Sequence, residues 1–580
     1  MKSRSFVLSA IILALGGFFA KVIGAVYKIP LTNILGSNGM GLYYLVFPIY
    51  SLFITICSSG VNVALATEVA KCRKIRHRYN EQKLLRVGLF LSFVLSVFFT
   101  ILIIVISYPV SNLQGNINAR LGYIAIAPAI ILSSVIATVR GYFQGVENMV
   151  PTTISMIIEQ ITKLSIGLIL AYNLCRYGIQ YAVLGAIIGV TVSEAVALVI
   201  IAINFVSFKG QLYYNYRNKY YIAKKKGNLK SRVKTNKVLS AGKLSSIYNI
   251  RYCCNSKFSR YSTKVALGKI FKVFFPATMS SIVLPVATMI DSFLLINLLV
   301  SSGFSSVVST ALYGLWGGVV QTIISLPIIL IAGISMSIVP SLSGVVAGQN
   351  VARVNKRVMF FIKITWVLSI LMFLLVFVFA EDILYFLYGN GLDKSVIDEL
   401  EIATKMLRVS SISIIYSAFL QTFTAILQSI GKSYVPLILM LISLVVRVIL
   451  TITLVSVSSI NIFGAIVANI IFLALTVVLL AIYIRNKIDL EYKLFKELLY
   501  PVIVGIVVFF LMQVLKSGLC LIINYFLSMV ISALVGCLVF VVWVFCSQIF
   551  TRQEKKDFFK KHTKKFKSKG LKSALRQKNP

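Results

Sequence analysis

Apolar runs of about 20 residues or more alternate with short polar segments along almost the whole chain. A helix that crosses the hydrocarbon core of a bilayer needs about 20 such residues. The runs predict fourteen transmembrane helices, at 6–28, 41–66, 84–108, 121–143, 151–174, 180–207, 271–300, 309–340, 357–380, 402–429, 434–456, 462–485, 497–516 and 521–549. The predicted fold is an all-α polytopic membrane protein.

The charges between the runs predict its orientation, because cytoplasmic loops of membrane proteins are enriched in Lys and Arg. Basic loops follow the second, eighth and twelfth spans, at 71–78, 353–357 and 485–496. The loop 381–401, after the ninth span, is mainly acidic. The alternation predicts a multi-pass protein of the cytoplasmic membrane with both termini in the cytoplasm.

Composition agrees with this class and limits the others. The 580 residues are 58% hydrophobic and only 13% charged, with a formal net charge of +41 and a mean hydropathy of +0.90. Basic loops on an anionic cytoplasmic leaflet explain that charge, so membrane lipids rather than nucleic acid are the expected partners. The eight Cys lack the pairing of a disulfide framework or a zinc site.

The longest polar stretch, 208–268, is rich in Lys and Arg and contains no Asp or Glu. It predicts a basic cytoplasmic loop between an N-terminal lobe (1–207, spans one to six) and a C-terminal lobe (269–485, spans seven to twelve). Spans thirteen and fourteen (486–550) and a basic cytoplasmic tail (551–580) follow. Val150-Pro151 and Val435-Pro436 each follow a Gln and a short polar turn, which indicates repeats in the same orientation, related by a pseudo-twofold axis along the membrane normal.

Ionisable residues within the predicted spans are candidates for function, because each costs about 2.5–3.5 kcal/mol in hydrocarbon unless it is paired or faces a cavity. Five lie near a predicted helix end and are expected to reach the interface: Lys28, Arg140, Lys363, Arg408 and Arg485. Six lie deeper: Lys21, Glu159, Lys163, Glu194, Asp291 and Arg447.

The deeper residues allow two interpretations. Lys163 and Arg447 lie twelve and eleven residues beyond Pro151 and Pro436, so they are expected to direct one cation from each lobe toward a shared space. With Lys21, they would suit a diphosphate. Glu159, Glu194 and Asp291 are candidates for binding a coupling ion. The structural alternatives are ion pairs of Glu159 with Lys163 and of Asp291 with Lys21.

Three segments carry a family resemblance: 16–30 (GGFFAKVIGAVYKIP), 35–44 (LGSNGMGLYY) and 58–64 (SSGVNVA). The chain resembles the stage V sporulation protein B group of polysaccharide biosynthesis proteins. That group is related to lipid II flippases of the MurJ type within the multidrug/oligosaccharidyl-lipid/polysaccharide (MOP) exporter superfamily. The resemblance implies two six-helix lobes around a central cavity, and export of an undecaprenyl-diphosphate-linked sugar. Lys21 stands where such flippases carry an arginine.

The leading hypothesis is therefore a flippase that moves a lipid-linked peptidoglycan, spore-cortex or polysaccharide precursor by alternating access. The alternatives are a cation-coupled multidrug exporter of the same superfamily and a membrane scaffold that recruits cell-wall synthesis proteins. An enzyme is not expected, since the sequence has two His and no visible nucleophile motif. No cofactor is expected; H⁺, Na⁺ or the membrane potential remain open as the driving force.

Overall fold

Helices form the regular structure of the computed structural model, which describes residues 2–75, 77–225, 260–346, 351–389, 398–487 and 494–547. They are α1 (Lys2–Ile54), α2 (Gly60–Lys74), α3 (Arg78–Leu113), α4 (Arg120–Gly145), α5 (Val150–Leu174), α6 (Ile179–Lys225), α7 (Thr263–Ser301), α8 (Ser306–Gly314), α9 (Gln321–Val346), α10 (Val351–Val378), α11 (Ala380–Tyr388), α12 (Glu399–Ser410), α13 (Ser413–Ser429), α14 (Tyr434–Val455), α15 (Ile462–Lys487), α16 (Leu494–Cys520) and α17 (Tyr525–Cys546). Most of the predicted basic loop (226–259) and the whole predicted tail (551–580) lie outside the described residues.

Thirteen segments of the described chain are long and apolar enough to cross a membrane. The first, Leu15–Lys74, has 60 residues, or about 90 Å as a continuous helix, whereas the hydrocarbon core is only about 30 Å thick. Gly36 interrupts α1 with φ 64° and ψ −177°, a conformation that glycine adopts without a Cβ clash. The predicted all-α fold is confirmed. The spans predicted at 6–28 and 41–66 lie on either side of this break, which agrees with about fourteen crossings.

The chain divides into two compact units, Met1–Gly318 and Val319–Pro580. The first unit includes α7 and α8: α7 packs on α1, α2 and α3, while α8 packs on α1. The predicted lobes, which separate within 208–268, stay a prediction.

Close helix contacts hold the first unit together. In the contact between α5 and α6, a Cβ on Gly189 would lie 2.3 Å from the Cα of Gly167, so only glycine permits this approach. The start of α7 is fixed to α3, because Asn80 Oδ1 accepts a hydrogen bond from the Tyr261 backbone N–H at 2.9 Å. Lys83 Nζ donates to Thr263 Oγ1 at 2.8 Å. These bonds hold the last residues of the predicted basic loop against α3.

In the second unit, α16 and α17 pack with α10 around a buried apolar cluster that includes Leu374, Val508 and Phe540. A buried ion pair adds a polar link: Lys516 Nζ of α16 lies 2.6 Å from Asp382 Oδ2 of α11, and the Asp382 side chain is only 1% exposed. The last two helices are therefore fixed to the second unit by both apolar packing and a charge pair.

We expect Asp382→Asn to destabilise the protein by about 3 kcal/mol, because it leaves the Lys516 ammonium without its carboxylate in a mostly buried position. The neighbouring variant Glu381→Gln is the matched control. Its ion pair with Arg408 is 3.4 Å long and exposed on both sides, so its loss should cost less than about 1 kcal/mol. Unfolding in mixed detergent micelles measures both. Equal effects of the two variants would contradict a structural role for the buried pair.

Candidate functional site

Lys163 of α5 lies half-buried between two aromatic rings of α1. Its Nζ is 5.2 Å from the ring centroid of Tyr27 and 5.2 Å from that of Phe47. Aromatic faces attract cations, and more strongly where water is excluded. Lys28, the next residue after Tyr27, donates a hydrogen bond from Nζ to Tyr44 Oη at 2.6 Å. Two lysines are thus held beside aromatic side chains in the interior of the first unit.

An ion pair between α4 and α5 lies beside these lysines. Arg140 Nη2 is 2.8 Å from Glu159 Oε2, and the same nitrogen donates to Ser155 Oγ at 2.7 Å. Gln160 Nε2 donates to the other carboxylate oxygen, Oε1, at 2.8 Å. The Arg140 and Glu159 side chains are 13% and 15% exposed. The two charges therefore pair with each other within the unit.

Glu194 of α6 completes the group. It is buried, hydrogen-bonds with Ser133, and lies near enough to Glu159, Arg140 and Lys163 to interact with them electrostatically. Lys28 in turn interacts electrostatically with Lys163. We call the five residues Lys28, Arg140, Glu159, Lys163 and Glu194 the charge cluster; with every member ionised, it carries one more positive than negative charge.

The other predicted residues lie outside this cluster. Lys21 is exposed on α1, seven residues before Lys28 and so on nearly the same helix face, about 10 Å away along the axis. Asp291 is buried on α7, next to Ser292, whose Oγ accepts from Gln114 Nε2 at 3.0 Å. Arg447 is buried on α14 in the second unit, where its guanidinium carbon is 5.4 Å from the Phe472 ring centroid. That Lys163 and Arg447 share a space remains a prediction.

Comparison with known proteins identifies the family. The family model "Polysaccharide biosynthesis protein" matches residues 6–345, more than half of the chain. The chain belongs to this family. A second model, MatE, matches residues 276–453.

Two relatives from Bacillus subtilis (strain 168) agree with that assignment. Stage V sporulation protein B is 24% identical over 393 residues, which cover 67% of this chain and 68% of the relative. Lipid II flippase MurJ is 22% identical over 475 residues, or 79% of this chain and 78% of the relative. The resemblance predicted from the N-terminal segments is confirmed.

Solved structures of low identity share the fold. An inward-facing MATE-family multidrug transporter of the MOP superfamily superposes with a TM-score of 0.62 at 17% identity, covering 80% of this chain and 94% of its own. A MOP superfamily transporter from Pyrococcus furiosus gives a TM-score of 0.57 at 16% identity, covering 83% and 95%. This likeness supports the helical architecture and carries no information about the substrate.

The partner of Glu159 differs from the expected one. The spacing of Glu159 and Lys163 allows an ion pair within α5, but Glu159 pairs with Arg140 of α4. Side chains on a helix tilt toward its N-terminus. A short connection joins the end of α4 to the start of α5. The Arg140 side chain points away from this connection, and the Glu159 side chain, which lies further from it, points toward it. The two charged groups therefore meet at the same level. Lys163, one turn further along α5, faces the rings of α1.

Sequence reasoning placed Lys28 and Arg140 at helix ends, whereas both belong to the charge cluster. The predicted end of the first span at residue 28 is too early, because α1 continues through Pro30 to the break at Gly36. Lys28 therefore lies about two turns before the break. For Arg140, the tilt of helical side chains toward the N-terminus was the signal that could have predicted its contact with Glu159.

We predict a large coupling energy between Arg140 and Glu159. Arg140→Gln or Glu159→Gln alone leaves one charge unpaired in the interior and should destabilise the protein by about 3 kcal/mol, while the double variant should lose less than the sum of the two. Thermal unfolding in detergent of the wild-type protein, the two single variants and the double variant measures the coupling energy. The exposed pair Glu401–Lys405, both side chains 60% exposed, is the control and should show less than about 0.5 kcal/mol. Additive losses at Arg140 and Glu159 would contradict the coupling.

Proposed function

We propose that the protein is a flippase that moves an undecaprenyl-diphosphate-linked saccharide from the cytoplasmic to the outer leaflet by alternating access. The membership in the polysaccharide biosynthesis family and the relatives named as a sporulation protein and a lipid II flippase support this class. A peptidoglycan, spore-cortex or polysaccharide precursor fits the proposal equally. Cell-wall synthesis proteins as partners remain a prediction.

The position of Lys163 carries the proposal. Within the described segments, its ammonium contacts two aromatic rings and forms no ion pair with a carboxylate: Glu159 is engaged by Arg140, and Glu194 interacts with Lys163 only at longer range. Rings hold a cation in place without supplying the strong acceptors that phosphate oxygens provide. A diphosphate that approaches Lys163 therefore gains charge-assisted hydrogen bonds without first breaking an ion pair.

Lys21 and Arg447 extend the same proposal. Lys21 lies on nearly the same face of α1 as Lys28, which leaves two lysines along one line of that helix. Arg447 brings a planar guanidinium, which suits bidentate binding of phosphate. We assign Lys21, Lys163 and Arg447 to the diphosphate, and Glu159, Glu194 and Asp291 to the balance of charge or to a coupling ion, H⁺ or Na⁺.

We expect Lys163→Ala to lower transport about 30-fold, because the loss of one charge-assisted hydrogen bond costs about 2 kcal/mol. Lys163→Arg should retain most activity. The assay measures the lipid-linked precursor on the outer face of intact cells that depend on this protein, relative to the total extracted precursor. Lys21→Ala and Arg447→Ala should also accumulate the precursor inside.

The matched control is Arg176→Ala, which removes an exposed cation from the connection between α5 and α6 and should transport normally. Folding is checked by thermal unfolding of each variant. A folded Lys163→Ala protein with a normal distribution of precursor would refute the assignment of Lys163. A normal distribution after depletion of the protein, in cells without a second flippase, would refute flipping itself.

The match to the MatE model over residues 276–453 favours a second candidate, a cation-coupled exporter of drug-like molecules. Asp291, buried on α7, is the residue on which this candidate depends. Drug resistance that is lost in Asp291→Asn, with the wall precursor unchanged, would support the exporter over the flippase.

A further inference from the structure

A cavity of about 430 Å³ lies at one end of the first unit. Its walls come from the part of α1 after the break and from three regions where helices connect, α3–α4, α5–α6 and α7–α8. The polar lining consists of Asn38, Asn116, Asn118, Tyr177, Gln180 and Tyr181, together with Ser306. We call this cavity the amide pocket. Its volume falls within the range of small-molecule sites, about 300–1,000 Å³.

The charge pattern indicates which side of the membrane this end faces. The opposite end of the unit carries the α2–α3 connection, where Lys71, Arg73 and Lys74 occupy the last turn of α2 and Arg78 begins α3. Cytoplasmic connections are enriched in such residues. The amide pocket is therefore expected to open toward the outside.

The chemistry of the lining is neutral. Among its described residues there is no Lys, Arg, Asp or Glu, so it lacks the cations that a diphosphate requires. Each Asn or Gln side chain offers both donors and an acceptor, and so does each hydroxyl group of a sugar. Four amide side chains around one cavity suit an uncharged molecule with many hydroxyl or acetamido groups.

Two tyrosines add apolar surface at the same place. Tyr177 is 73% and Tyr181 46% exposed, although large aromatic side chains normally bury most of their surface. Gly178, with φ 123°, makes the turn between them, a conformation that a residue with a Cβ rarely adopts. The aromatic faces are available to pack against the C–H face of a pyranose ring.

The amide groups are partly fixed in advance. Asn116 Oδ1 accepts a hydrogen bond from the Asn118 backbone N–H, and Asn116 Nδ2 donates to Thr310 Oγ1, both at 3.2 Å. The side chains of Asn38, Asn118 and Gln180 form no hydrogen bonds within the described part of the chain. The pocket thus combines one oriented amide with three whose hydrogen-bonding groups are available to a ligand.

We propose that the amide pocket is a saccharide-binding site on the outer face of the protein, specific for an uncharged sugar. The ligand is either the glycan of a lipid-linked substrate after its transfer or a free oligosaccharide outside the cell. The first source rests on the proposed function, whereas the second does not.

Saturation-transfer NMR with the full-length protein in detergent tests the site, with N,N′-diacetylchitobiose as the probe. The wild-type protein should transfer saturation to the sugar protons, and Tyr177→Ala and Gln180→Ala should bind the probe about tenfold more weakly. Tyr172→Ala is the matched control, because Tyr172 is 63% exposed near the same end of α5 and lies outside the pocket. Equal binding by all four proteins would refute the site, and so would the absence of binding to the wild-type protein of both this probe and its lipid-linked form.

A second arm distinguishes the sources by comparing the free disaccharide with the same disaccharide on a polyprenyl diphosphate, in protein reconstituted into vesicles. Binding of both probes that depends on Tyr177 indicates recognition of the sugar alone. Binding only of the lipid-linked form, still reduced by Tyr177→Ala, indicates the substrate glycan. Normal flipping without Tyr177-dependent sugar binding refutes the pocket and leaves the proposed function intact. Tyr177-dependent sugar binding without flipping supports the pocket and refutes the proposed function.

Discussion

The ion pair between Arg140 and Glu159 is the interaction on which the candidate site depends. It links α4 to α5 in a region where a lone charge would be costly, and α5 in turn packs on α1 and α6. Because Arg140 takes up the Glu159 carboxylate, Lys163 is left to the rings of Tyr27 and Phe47. Within the described residues, the position of one arginine therefore leaves Lys163 without an ion pair to the carboxylate one turn before it on α5.

The sequence predicts the architecture well because length and hydropathy decide it: a span needs enough apolar residues, and the basic loops test the count. It also predicts Glu159, Lys163 and Glu194 as members of an interior site, since each lies deep within an apolar run. It misses Lys28 because the first span was predicted to end at residue 28, whereas the helix continues to the break at Gly36. It misses Arg140 because distance from a helix end does not report the direction of a side chain. The sequence does not predict the amide pocket for another reason: its residues come from four separate parts of the chain that only the fold brings together.

The first unit contains two candidate sites that differ in chemistry. The charge cluster has three cations and two acids among aromatic rings, whereas the amide pocket has hydrogen-bonding groups without charge. A saccharide joined to a lipid through a diphosphate has the same two parts, an anionic linker and a neutral glycan. Under the proposed function, separate sites recognise each part by its own chemistry, so binding of the glycan need not weaken the electrostatic contacts proposed for the diphosphate.

Helix α1 connects the two sites, and its break separates their supports. Before Gly36, α1 packs closely on α5, where a Cβ on Gly16 would lie 2.0 Å from Thr153 Cγ2. After Gly36, it packs on α8, where a Cβ on Gly41 would lie 2.1 Å from the Thr310 carbonyl oxygen. Neither contact leaves room for sliding, because backbone and short side chains meet directly. Any change in the spacing of α5 and α8 must therefore be absorbed at Gly36, whose backbone is already outside the helical conformation.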